Sequence, residues 1–160
     1  MNAKIQQFFG WMNPDVGSNA VSGGLLVLRL GVGGLMLFAH GWGKLTGYGE
    51  RAGSFPDPLG VGSEFSLALV VFAEVFCALF LMLGFATRAF AIPLIINMLV
   101  ITFVIHADDP FRQQEFALLF AIPFLTLLFT GAGRFSVDRL LRGVGDGDRI
   151  NVAPKTLAGG

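Results

Sequence analysis

Long apolar runs, broken by short clusters of glycine, proline and charge, set the pattern of this chain. Four runs, at about 20–41, 64–85, 88–106 and 113–131, are each near the roughly 20 helical residues needed to cross a hydrocarbon core. The pattern predicts four transmembrane helices. Gly41, Gly43, Gly47, Gly49 and Gly53, then Pro56, Pro58, Gly60 and Gly62, separate the first two, and such clusters end helices. The stretch from Gly84 to Thr87 is so short that the second and third spans should be antiparallel neighbours. His106 to Arg112 makes the third connection.

The flanks read differently. Residues 1–19 form an N-terminal segment in which Ile5, Phe8, Phe9 and Met12 recur at helical spacing beside Trp11, too short to cross but suited to lying at the interface. It lacks a continuous apolar core followed by a small-residue cleavage site, so it does not read as a signal peptide. Residues 20–142 hold the bundle. At their end Ser136 is placed to cap a short helix whose arginines reach lipid headgroups. Residues 143–160 are polar and glycine-rich, a tail expected to be mobile.

Composition strengthens the membrane reading. Of the 160 residues, 54% are hydrophobic and 14% charged, against about 25% charged in soluble domains, and mean hydropathy is +0.69. The predicted fold class is therefore an all-α integral membrane four-helix bundle, with the lipid bilayer as its first partner and no room for a separate catalytic domain. A net charge of zero gives no sign of the basic patch that a nucleic-acid partner requires. The single cysteine, Cys77, excludes an intramolecular disulfide and a CxxC motif, so redox chemistry would need a bound cofactor. Lys44, Arg51 and Arg112 fall in connections on one side, and Lys4, Arg88, Arg134, Arg139, Arg142, Arg149 and Lys155 on the other. The positive-inside rule then places both termini in the cytoplasm.

Arg29 and Glu74 are the ionisable residues near the middle of the first two apolar runs. An Arg or Asp at the centre of a spanning helix carries a penalty of roughly 2.5–3.5 kcal/mol, so such residues face partners or polar cavities. One base and one acid at similar apparent depth predict a pair. That pair is either a structural bond fixing helix packing or a site: an anion or quinone headgroup at Arg29, or a proton path through Glu74. At about 100° per residue, Arg29, His40 and Lys44 share one helical stripe, and Glu115 and Thr126 share another on the fourth span. Pro123 frees the carbonyl of Leu119 on that same helix. Asn97 and His106, nine residues apart on the third span, should point to opposite faces.

The catalytic candidates are thus Arg29, Glu74, His40 and Glu115, and the ligand-binding candidates are Arg29, His40, Lys44, Asn97, His106 and Thr126. His40, His106 and Glu115 converge on one mouth of the predicted bundle, a donor set suited to zinc, copper or iron. No HxxxH or ExxH spacing accompanies them. The alternative is that both histidines are interfacial residues bonded to carbonyls or lipid.

LRLGVGGLMLFAHGWGKL (28–45), Glu74, LGFATR (83–88), Glu115 within QQEFALLF (113–120) and TGAGRFSVDRLL (130–141) together resemble the DoxX family of small four-helix bacterial membrane proteins. The resemblance implies the four-helix fold and a multi-pass location in the bacterial inner membrane. Because the wider family includes subunits tied to thiosulfate:quinone oxidoreduction and members of oxidative-stress complexes, it also implies a redox setting, with quinone as cofactor and a membrane partner subunit as electron donor. The alternative class is a non-catalytic scaffold or a path for a small solute or proton, with a homo-oligomer as the assembly. No covalent cofactor motif is present. If both termini are cytoplasmic, a C-terminal reporter active only in that compartment should work. Activity of a reporter that functions only outside would reverse the topology.

Overall fold

The computed structural model describes residues 19–141; the expected interfacial segment at the N-terminus and the polar tail lie outside the described residues. Four helices are long and apolar enough to cross a membrane: Asn19–Thr46, Ser63–Leu83, Thr87–Ile105 and Phe111–Thr130. They close into a ring in which the first span packs on the second and fourth, and the third on those same two. One end of the bundle gathers Asn19, the Gly84–Thr87 turn and the segment after Thr130; it is called the terminal end below. The other, the loop end, carries the 47–62 and 106–110 connections.

Hydrophobic side chains are split between the interior and the lipid face, as expected where the surrounding solvent is itself apolar. Leu67, Leu81, Leu94, Phe124 and Leu127 are fully buried, whereas Val27, Phe38, Phe103 and Phe129 lie outward. Every backbone group in lipid must be paired within its own segment, which the helices do except where Pro93 and Pro123 lack the N–H that an earlier carbonyl would accept. Three of them do so irregularly. Met36–Gly41, Phe72–Cys77 and Ile101–Ile105 are π-helical, with bonds from i to i+5, and interrupt otherwise α-helical spans. Such widened turns shift the side chains that follow around the axis, and they concentrate at functional sites.

Close approach at the first of these depends on Gly41. A Cβ there would sit 2.8 Å from the Glu74 carbonyl oxygen and from Val75, so only glycine lets the first two π segments touch. At the terminal end the second span closes with a left-handed Gly84, φ +70°. The Phe85 N–H donates to the Phe80 carbonyl at 3.0 Å and the Gly84 N–H to Leu81 at 3.1 Å, while the Phe80 and Phe85 rings meet at 5.6 Å. This is a Schellman closure with its hydrophobic contact. Ala86 follows, also left-handed at φ +42°, and its N–H donates to the Asp138 carboxylate at 2.7 Å. Asp138 thereby caps the third span from 52 residues away.

Residues 137–141 are helical, and the expected cap is present: Ser136 Oγ accepts the Arg139 N–H at 3.3 Å and donates to the Gly133 carbonyl at 2.7 Å. Because a Cβ at Gly84 would overlap the Arg29 guanidinium, Gly84→Ala should lower the melting temperature in detergent. The left-handed backbone alone costs about 1–2 kcal/mol for a non-glycine residue. Gly31→Ala, in open space on the first span, is the control and should lose nothing.

Candidate functional site

Lys44 lies near the loop end of the first span, with an aliphatic stem long enough to reach inward while its ammonium finds a polar partner. That partner is Glu74. Lys44 Nζ lies 2.5 Å from Glu74 Oε2 and also donates to the His40 carbonyl at 3.3 Å. The other carboxylate oxygen, Oε1, accepts Asn97 Nδ2 at 3.1 Å. Glu74 is 1% exposed. One buried carboxylate thus holds side chains from the first and third spans, and both of its oxygens are satisfied.

The predicted Arg29–Glu74 pair does not form. Arg29, fully buried, lies at the terminal end, where its Nη2 donates to the Phe135 carbonyl, with Asp138 as the nearby opposite charge. Apparent depth misled here because the first span has 28 residues, about 42 Å by helical rise, more than a hydrocarbon core needs. The middle of its apolar run is therefore not the level of Glu74. Fifteen residues, about 22 Å of rise, separate Arg29 from Lys44.

The Lys44–Glu74–Asn97 triad forms the floor of a cavity of about 310 Å3 between the second and third spans. Its walls are Leu69, Val70, Ile96, Val100 and Ile105, and its roof is Phe55, Pro56, Pro58 and Leu59 from the long connection. Asp57 pins that roof, accepting Ser66 Oγ at 2.7 Å, Gly62 N at 2.7 Å and Val61 N at 3.0 Å. The Ser66 hydroxyl, followed by the Gly62 N–H, holds the Asp57 carboxyl below the usual carboxylate range. Tyr48 donates to the Glu64 carbonyl at 3.0 Å and ties the short helix Tyr48–Arg51 to the second span.

His106 also lines this cavity, on the same side as Asn97. The expectation of opposite faces fails because Ile101–Ile105 is π-helical, and each residue taken up by a widened turn displaces the face by about 100° relative to a regular helix. His106 Nδ1 pairs with Asp109 Oδ2 at 2.7 Å, and Gln114 Nε2 donates to the His106 carbonyl at 2.8 Å, joining the third and fourth spans. A second cavity of about 150 Å3 lies on the other side of the triad, between Met36, His40, Met98, Phe116 and Ala117. His40 stands there against the rings of Phe116 and Phe120 at 5.4 and 5.6 Å. Lys44 and Glu74 face both cavities.

Of the sequence candidates, Lys44, Glu74, Asn97, His40 and His106 gather between mid-bundle and the loop end, and Arg29 stands apart. Glu115 is exposed and lines neither cavity, and Thr126 is exposed with its hydroxyl donating to the Ile122 carbonyl of its own helix at 3.0 Å. The convergence of His40, His106 and Glu115 on a metal is not realised: among the described residues no three His, Cys, Asp or Glu side chains are placed to share an ion. The roles of Asp57 and Ser66 were not anticipated. Their signal was nonetheless present, since an aspartate five residues before a glycine in DPLGVGS is a turn sequence that bonds its own backbone.

A ring of four spans around a buried, lysine-paired glutamate defines a small multi-pass membrane protein with an interior polar site. The DoxX family profile matches residues 24–107, which include Lys44, Glu74, Asn97 and His106, and the chain belongs to that family. The Inner membrane protein YqjF of Escherichia coli (strain K12) is 36% identical over 124 residues, covering 74% of this chain and 92% of that protein. No solved structure matches. The chain is accordingly a multi-pass protein of the bacterial inner membrane type.

Removing one partner of a buried ion pair costs about 3–5 kcal/mol because the other charge is stranded. Lys44→Met and Glu74→Met should each lower thermal stability in detergent, and the double variant should lose clearly less than their sum. Additive losses would show that the two side chains do not depend on each other.

Proposed function

We propose that the protein binds the headgroup of a quinone-type ring in the roofed cavity at its loop end and serves as the quinone-linked subunit of a membrane redox assembly. The observation that carries this reading is the cavity itself: apolar walls between two lipid-facing spans, with an ammonium, an amide and a carboxylate at the floor and the imidazole of His106 toward the loop end. Its volume of about 310 Å3 falls at the lower end of the range of small-molecule sites. Leu69, Ile96 and Ile105 in its wall are also exposed toward the surrounding lipid, which suits a ligand that enters sideways and leaves an isoprenoid tail in the bilayer.

The donors fit carbonyl oxygens. Lys44 and Asn97 can hydrogen-bond them, and the Glu74 carboxylate beside both is the nearest position for a proton. Reduction of a quinone to its quinol takes two electrons and two protons. The chain's side chains supply proton positions only, so the electrons come from a partner subunit. With the termini in the cytoplasm, the cavity opens near the outer face.

A second reading, a pathway for a proton or small solute, is favoured by the way Lys44 and Glu74 face two cavities. Against it stands the packed layer below them, where Leu81, Leu94, Phe124 and Leu127 are fully buried. Trp42, two residues before Lys44 and half exposed, gives a direct assay, because quinones quench indole fluorescence. Decylubiquinone should quench the full-length protein saturably, and Glu74→Leu or Asn97→Leu should weaken binding about tenfold or more, the loss expected for a donor or acceptor at a polar headgroup. Linear, non-saturating quenching that both variants leave unchanged would overturn the quinone reading.

A further inference from the structure

At the terminal end, remote from the triad, a cavity of about 500 Å3 opens between the start of the third span and the segment that follows the fourth. Thr87, Arg88, Thr130, Gly131, Ser136 and Arg139 contribute to its wall. Three features of this wall go beyond holding the turn together. Thr87 is 1% exposed, yet its hydroxyl has no hydrogen-bond partner among the described residues. A buried hydroxyl left without a partner loses its water bonds with nothing in return, so its place in a cavity wall points to a ligand.

Charge is the second feature. Arg88 and Arg139 are exposed in the wall, and among the described residues Arg88 engages only its Nη2, in a bond to the Phe129 carbonyl at 3.0 Å. Asp138 also lines the cavity, but its oxygens already accept the Ala86 and Thr87 N–H groups at 2.7 and 3.3 Å, and Arg29 lies behind it as counter-charge. Arg29 is wedged between Gly84 and Ser136, fully buried, with Nε and Nη1 unpartnered among the described residues. With Arg29 set against Asp138, two positive charges remain at the opening.

The third feature is location. Phe135, Leu140 and Leu141 project outward beside the cavity, 49%, 70% and 56% exposed, so the opening sits where apolar side chains meet the ends of the spans. That is the headgroup level of a bilayer. We propose that this cavity binds a phosphate oxyanion, with Arg88 and Arg139 neutralising it and the Thr87 hydroxyl donating to it. Two sources of that group are separable by experiment: the headgroup of an anionic phospholipid and free phosphate.

The test is native mass spectrometry of the full-length protein in detergent, titrated with phosphatidylglycerol and, separately, with phosphatidylcholine. Saturable phosphatidylglycerol binding is expected, weakened about tenfold or more in the Arg88→Gln/Arg139→Gln double variant and by a smaller factor in Thr87→Val. Because both arginines are exposed, the double variant should melt with the parent protein; if it does not, Arg139→Gln alone carries the charge test. Millimolar inorganic phosphate identifies the source: displacement of the lipid assigns the site to free phosphate, and retention assigns it to the headgroup. Equal binding of the two lipids, or affinity unchanged by loss of the arginines and of the Thr87 hydroxyl, overturns the site.

Discussion

A carboxylate without water must have its charge and both its oxygens satisfied by the protein, and Glu74 meets that condition with Lys44 on one side and Asn97 on the other. The spans to which these residues belong are held in register at the level of one side chain. Gly41 permits the approach by leaving room for the Glu74 backbone. The π segments surround the same point, and each directs a polar group or a cavity wall there that a regular helix would turn elsewhere. Packing, helix irregularity and cavity are thus consequences of accommodating one acid.

The terminal end solves a similar difficulty with different means. Arg29 has no carboxylate in direct hydrogen bond; it donates to a backbone carbonyl, that of Phe135, and shares the field of Asp138. Since Asp138 also caps the third span, the segment after the fourth span is bound to the first, to the second through the Gly84 carbonyl, which accepts the Asp138 N–H at 2.9 Å, and to the third. The GxGRxSxDRLL element named in the family resemblance is the strap that makes these connections. Its conspicuous residues therefore have structural work independent of any ligand.

Much of the architecture could be read from the chain because bilayer thickness constrains helix length so tightly. The second, third and fourth spans end within two residues of their predicted limits, and the Gly84–Thr87 turn joins antiparallel neighbours as its length required. The first span runs five residues further than expected, through a glycine-rich stretch that tertiary packing keeps helical. Side-chain pairing was less legible. Hydrophobic runs report that a segment crosses, but give no zero for depth, and so the expected Arg29–Glu74 pair spans about half the length of the bundle. Helical-wheel arithmetic failed for Asn97 and His106 because it assumes 3.6 residues per turn, and nothing in ITFVI announces a π segment. Glu74 and Asn97 stand out as polar residues in apolar surroundings and Lys44 as the base on the stripe of Arg29 and His40; their mutual contact does not.

Between the two polar ends lies the layer of Leu81, Leu94, Phe124 and Leu127, fully buried and free of ionisable groups. In electrical terms this layer is part of the dielectric of a capacitor, with the Arg29–Asp138 strap toward one plate and the Lys44–Glu74 pair reaching in to mid-span from the other. Moving one elementary charge through a full membrane potential is worth about 2.3 kcal/mol per 100 mV. Glu74 is the twelfth of the 21 residues of its span, so a charge carried to it from the loop end would cross about half of that field, and the same amount would be returned on leaving by that end.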